Sequence, residues 1–234
     1  MPGINKNESD PGSLPEISIN ENIKNLFPDL QLGIFGTHVS VKESDPLILG
    51  KINEVTDKIR STYSVEDISS IPAIQQTKNA YRKLGKDPSR YRPSAEALSR
   101  RIVNGKALYL VNNIVDILNV LSIETGLSIG GYDLDKINGG ITLSKGKPGE
   151  PYEAIGRGLL NMEDLPLLYD FTGPFGCPTS DSTRTMVSQD TKTFMMIIFD
   201  FDGQADMNNI LERAKSYYST LAGCREFYLK ILKA

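Results

Sequence analysis

The order of patterns along the chain predicts an α+β fold. Helical periodicity, closed off by Gly and Pro, dominates the first half of the sequence. From Leu127 to Phe201 the texture changes, and glycines punctuate short runs such as GGITLSKG, PLLYDFTG and TKTFMMIIFDFDG, the mark of antiparallel strands. Helices gathered in one half and strands in the other point to α+β rather than to an alternating α/β chain. With 234 residues, 39% of them apolar, there is ample chain to bury a core.

The elements follow in order. MPGINKNESDPGSLPE has no apolar run behind a basic start, so it is not a signal peptide, and residues 1–15 read as a flexible tail before one domain over 16–234. NENIKNLFPDL predicts a short helix stopping at Pro28, and QLGIFGTHVSV a strand. Helices are expected over 46–60 and 64–84, the second interrupted at Pro72. GKDPSRYRPS is a loop, Pro93 opens the next helix, and Gly105 stops it. After a helix over 112–125 and the strand region, a helix over 205–222 carries Met207, Ile210, Leu211, Ala214, Tyr218 and Leu221 on one face; REFYLKIL closes as a strand.

Several chemistries fall away. Neither a GxxxxGK[ST] loop nor a strand-anchored GxGxxG is present, so no nucleotide cofactor is expected. The one histidine, His38, sits on an apparent strand without clustered ligands or a nucleophile beside it; it reads as structural, and no metal is expected. Cys177 and Cys224 have no CxxC spacing and read as reduced thiols of a cytoplasmic protein. The longest apolar run, FMMIIF, is too short to cross a bilayer.

Charge is distributed unevenly. Between Lys78 and Lys106 stand nine basic residues and two acidic ones, a local +7 in a chain of net −3. Arg82, Lys83, Arg90, Arg92, Arg100 and Arg101 could present a phosphate-binding surface, with Tyr81 and Tyr91 as stacking partners, or form a solvated face. The helix NNIVDILNVLSIET carries a second signal. At about 100° per residue, Asn112, Asp116 and Asn119 fall within about 60° of one another. Their side chains are short, which suits fixed hydrogen bonding. They either cap the helix and tie it to loops, or line a pocket.

YRKLGKDPSRYRPSAEAL, NNIVDILNVLSIETGLSIGGYDLDKI, KGKPGEPY and DSTRTMVSQDT, in that order, resemble the paired B-three/B-four editing domain of the phenylalanyl-tRNA synthetase beta subunit, and especially its stand-alone relatives. The resemblance covers about 78–200, with Val115, Asp116, Asn119, Asp133, Gly149 and Glu150 as its specific core. It implies a twisted, partly closed mixed or antiparallel sheet flanked by helices. It also implies hydrolysis of mischarged aminoacyl-tRNA, an activated ester for which a positioned water and a stabilised oxyanion supply much of the rate. No aminoacylation domain is recognisable, so the chain is not expected to be a ligase by itself.

Carried over, Asn112, Asp116 and Glu150 would be catalytic, and Asn113, Asn119, Gly130, Gly131, Thr183 and Arg184 would bind substrate. Two departures bear on specificity. Gly130 and Gly131 stand where the synthetase commonly has a histidine, and Thr183 stands near the glutamate that recognises the tyrosine hydroxyl. Tyrosine is therefore not the expected ligand; a different amino acid, or none, is. The expected activity is a free-standing aminoacyl-tRNA deacylase with tRNA as partner; a non-catalytic RNA-binding module and a small-molecule amino-acid binder or enzyme are the alternatives.

Overall fold

The strand TFMMIIFD, Thr193–Asp200 (β9), organises the molecule, because side chains on both its faces are buried. Phe194, Met196 and Ile198 point to one side, and Met195, Ile197 and Phe199 to the other, as the two-residue period of a strand requires. A strand covered on both sides reads as an unbroken apolar run, which is why alternation is absent there. In this computed structural model, which describes residues 14–234, β9 is an inner strand of a four-stranded antiparallel sheet. Its neighbours are Gln31–His38 (β2) and Ser128–Asp133 (β3); Phe227–Lys233 (β10) pairs with the far edge of β2.

One face of this sheet is covered by helices Pro46–Thr62 (α2), Asn113–Thr125 (α5) and Met207–Ala222 (α6). The other face packs against a second four-stranded sheet. There Ile17–Ile19 (β1) runs parallel to Ile141–Lys145 (β4), followed by Pro166–Tyr169 (β7) and Pro174–Gly176 (β8), which are antiparallel. Glu21–Leu26 (α1) and Pro72–Leu84 (α3) close this second core. Ser94–Val103 (α4) lies beside α2 and α5, and a two-stranded ribbon, Glu153–Ala154 (β5) with Gly158–Leu159 (β6), lies outside both sheets.

The α+β reading holds, with two open sheets of mixed and antiparallel pairing. The helix expected over 64–84 is divided: a 3-10 turn at Asp67–Ser70 precedes α3, which begins at Pro72 because proline fits a first turn where no amide donor is needed. The tail expected over 1–15 lies outside the described residues apart from Leu14 and Pro15, and Leu14 packs against Gly36 of β2. No helix among the described residues is long and apolar enough to cross a membrane.

Candidate functional site

The α5 polar stripe spends most of its hydrogen-bonding capacity on the fold. Asn112 has extended backbone and caps the helix, its Oδ1 accepting from the amides of Ile114 (3.1 Å) and Val115 (2.9 Å). Asn113 is fully buried; it accepts from the Lys42 amide at 2.9 Å and donates to the Ser40 carbonyl at 3.1 Å. Asp116 accepts from the Ser44 hydroxyl (2.6 Å) and the Val111 amide (3.0 Å). Burial pushes its carboxyl upward against these two bonds. Together these residues fasten the loop after β2 to α5. Asn119, further along the helix, is half-buried. Glu150 lies elsewhere, closing the turn after β4 by accepting from the Lys147 amide (2.8 Å) and from the Tyr169 hydroxyl.

Gly130 and Gly131 lie against Asp181 where the edge strand β3 of one sheet meets the edge strand β8 of the other, while Thr183 and Arg184, further along the same segment, bond to Glu153 and to Asp170 and Gly173. The segment 177–186 leaves β8 and returns across this junction. Arg184 anchors it by a bidentate bond to Asp170, both contacts 2.9 Å, and by a third to the Gly173 carbonyl at 3.1 Å. Burial works against charge on Asp170, but Arg184 and the amides of Asn138 and Thr172 outweigh it and hold the carboxyl below its usual range. Ser182 caps the short turn Thr183–Thr185, and the Thr183 hydroxyl donates to the Glu153 carbonyl at 3.4 Å. From the other side, the Tyr81 and Thr179 hydroxyls are bonded at 2.8 Å, and the Ser94 amide donates to the Pro178 carbonyl at 2.8 Å. The segment is therefore attached directly to α3 and α4.

At its centre stands Asp181, which the motifs along the chain do not single out. Its residue surface is partly exposed, yet its carboxyl is enclosed by protein atoms. Oδ1 accepts from the Tyr132 hydroxyl at 2.8 Å and Oδ2 from the Gly131 amide at 3.2 Å. Desolvation raises its pKa to about 7 in spite of those donors. A carboxyl that titrates near neutrality beside hydroxyl-bearing loop residues is a site candidate with a physical basis. Cys177, behind it, is different: burial pushes the thiol up to about 12, so it stays protonated and unreactive. Two concavities, of about 330 Å³ beside Glu124 and Arg213 and about 530 Å³ over Thr142 and Tyr169, lie elsewhere and do not include Asp181.

The basic segment proves to be partly architectural. Buried Glu96 gathers Arg100 (2.8 Å), Lys78 (3.5 Å) and Arg92 (3.7 Å). Lys86 donates to the carbonyls of Glu163 (2.5 Å) and Asn161 (3.1 Å) and covers the Tyr91 ring. Arg101 donates to the Ala107 carbonyl at 2.5 Å and stacks on Tyr109 at 3.6 Å. Arg82, Lys83, Arg90, Arg92 and Lys106 remain exposed. Tyr81 is fully buried and cannot stack on a base; Tyr109, 72% exposed, is the aromatic ring beside this segment that reaches solvent.

This is an α+β molecule whose two sheets meet at a loop held by a basic helix pair. The model of the B3/4 domain family matches residues 76–219, more than half of the chain, and the chain belongs to that family. Its fold is thus that of the tRNA-binding and editing type which the motifs at 78–200 resemble. No curated protein sequence matches it. Among solved structures it is similar to an N-terminal fragment of the phenylalanyl-tRNA synthetase beta subunit from Pyrococcus horikoshii, at 14% identity and a TM-score of 0.47. That match covers 95% of this chain and 55% of the fragment.

Proposed function

We propose that this protein binds tRNA along the exposed α3–α4 surface and hydrolyses an ester-linked aminoacyl group in trans, with Asp181 as the proton acceptor. The single observation that carries this reading is the Asp181 carboxyl, pushed up to about 7 by burial while its two oxygens accept from the Tyr132 hydroxyl and the Gly131 amide. A base is most effective when its pKa lies near the working pH. Ionised Asp181 takes a proton from water as the water oxygen bonds to the ester carbonyl carbon. When the tetrahedral adduct collapses, the carbon–oxygen bond to ribose breaks and the ribose oxygen receives that proton. The products are the free amino acid and the tRNA hydroxyl. An aminoacyl ester is activated already, so neither a metal nor a histidine is required.

Family membership and the attachment of the loop to α3 and α4 both support the RNA half of this reading. The test is a multiple-turnover deacylation assay over a panel of aminoacyl-tRNAs, with filter binding of the same tRNAs at several salt concentrations. Release above the spontaneous rate, abolished in Asp181→Asn, is expected. Salt-sensitive binding without any release would instead identify a non-catalytic RNA-binding module. That second reading draws on the close enclosure of Asp181 by Tyr132 and Gly131.

A further inference from the structure

Resting on the RNA half of that reading, we infer that Tyr109 is a stacking platform for an unpaired nucleobase. RNA crossing the C-terminal end of α4 lays one base on the open face of the ring, and Arg60, Arg101 and Lys106 take the flanking phosphates. Gly105, at a φ of +74°, turns the chain out of α4, and the loop that follows carries Tyr109, Leu110 and Val111 into solvent. This loop is tied at both ends. The Arg101 Nε donates to the Ala107 carbonyl at 2.5 Å, and the Val111 amide donates to Asp116 at 3.0 Å. The Arg101 guanidinium carbon stands 3.6 Å from the centroid of the Tyr109 ring and covers one face of it. With that face taken, an exposure of 72% leaves the opposite face bare.

A ring held in this way suits base stacking, because every nucleobase offers a flat π-face and the guanidinium behind the ring adds its own attraction. Fixing both ends of the loop beforehand lowers the ordering cost of the contact. The charge around the ring selects the partner. The Arg60 Nε donates to the Ile102 carbonyl at 3.1 Å, which brings a second guanidinium to the end of α4, and Lys106 is exposed in the loop itself. Among the described residues, none of Arg60, Arg101 and Lys106 forms an ion pair. Arg92 and Arg100 differ, since Glu96 already engages them. An exposed apolar strip by itself would fit a protein surface. Three cations without a carboxylate, gathered about one open ring, fit single-stranded RNA instead.

The experiment places 2-aminopurine, a base whose fluorescence is quenched by stacking, in the single-stranded tail of a short RNA hairpin. Wild type, Tyr109→Phe and Tyr109→Ala are titrated with it at several salt concentrations, beside a blunt hairpin carrying the same number of phosphates. Wild type is expected to quench the probe and to prefer the tailed RNA. Tyr109→Ala should lose about tenfold in affinity for the tailed RNA together with most of the quenching. Its salt slope should not change, since no phosphate contact is removed. Tyr109→Phe should keep affinity and quenching alike, and Lys106→Glu should flatten the slope while the probe is still quenched. Undiminished affinity and quenching in Tyr109→Ala overturn the inference, as does equal binding of tailed and blunt RNA by wild type. Self-association abolished in Tyr109→Ala, with RNA binding unaltered, gives the patch to a second copy and overturns it too. Quenching without any deacylation sinks only the hydrolysis proposed above; no RNA binding by wild type sinks both.

Discussion

Asp181 and Asp170, the latter bonded to Arg184 of the segment that carries Asp181, titrate in opposite directions. Asp170 meets a guanidinium fork and three backbone amides, and its carboxyl is held low. Asp181 meets the Tyr132 phenol and the amides of Gly131 and Cys177 but no cation, and burial still pushes its carboxyl up to about 7. The linkage has a definite sign. Asp181 is raised above its unfolded value, so its contribution to stability is fully present below about pH 4 and is lost as pH rises through about 7. Asp170 is depressed, so its contribution is present above its unfolded value and is lost on acidification. Denaturant unfolding across pH 4 to 8 should therefore show a component falling by at most about 1.4 kcal/mol per pH unit that Asp181→Asn removes. In the deacylation assay the same substitution should lower kcat by at least about a hundredfold with tRNA affinity retained. A full-rate Asp181→Asn would refute the assignment of the base. Neither carboxyl state could be read along the chain, because TSDSTRT gives no hint that Tyr132 and Gly131 surround its aspartate.

At the scale of elements, α5 and the 177–186 segment show how local signals divide between fold and site. The spacing of Asn112, Asp116 and Asn119 was legible as a shared face, and the capping residue is where an N-terminal Asn should be. The stripe's partners were not legible, since Ser40, Lys42 and Ser44 stand some seventy residues earlier in the chain. Asn112→Ala should cost about 1 kcal/mol through removal of the cap, seen as a lower unfolding midpoint with hydrolysis intact. Abolished hydrolysis at unchanged stability would return Asn112 to the chemistry. Arg184→Ala should cost about 3 kcal/mol, because it strands a buried carboxylate. Arg184→Lys should recover little of that, for an ammonium cannot reproduce the bidentate fork. Helix limits came close to the observed ones because Asp45, Gly85, Gly126 and Gly223 mark them locally. The ribbon of β5 and β6 was missed, being two residues a side.

For the whole molecule, the question raised by the basic segment has a divided answer. Lys78, Arg92 and Arg100 converge on Glu96, Lys86 and Arg101 brace loops, and the exposed Arg82, Lys83, Arg90 and Lys106 remain for an external anion. If these meet phosphate, log K for tRNA should fall linearly with log salt. Reversing Arg82, Lys83 and Arg90 to Glu should then flatten the slope by about 0.7 to 0.9 for every phosphate no longer neutralised. An unchanged slope would make the surface a solvated face. The family was legible in the sequence only as a resemblance of the motifs at 78–200. Composition, periodicity and capping residues determined, from sequence alone, the α+β class and the order of the main elements. Those properties are set by the immediate neighbours of each residue and by the face it must bury. Only the tertiary structure decided that β9 lies between helices and a second sheet, that Glu96 collects the cations, and that Tyr132 meets Asp181 across 49 residues. The physical reason is that burial, and with it a carboxyl's proton affinity, depends on which distant segments close over a group, and no local pattern encodes that closure.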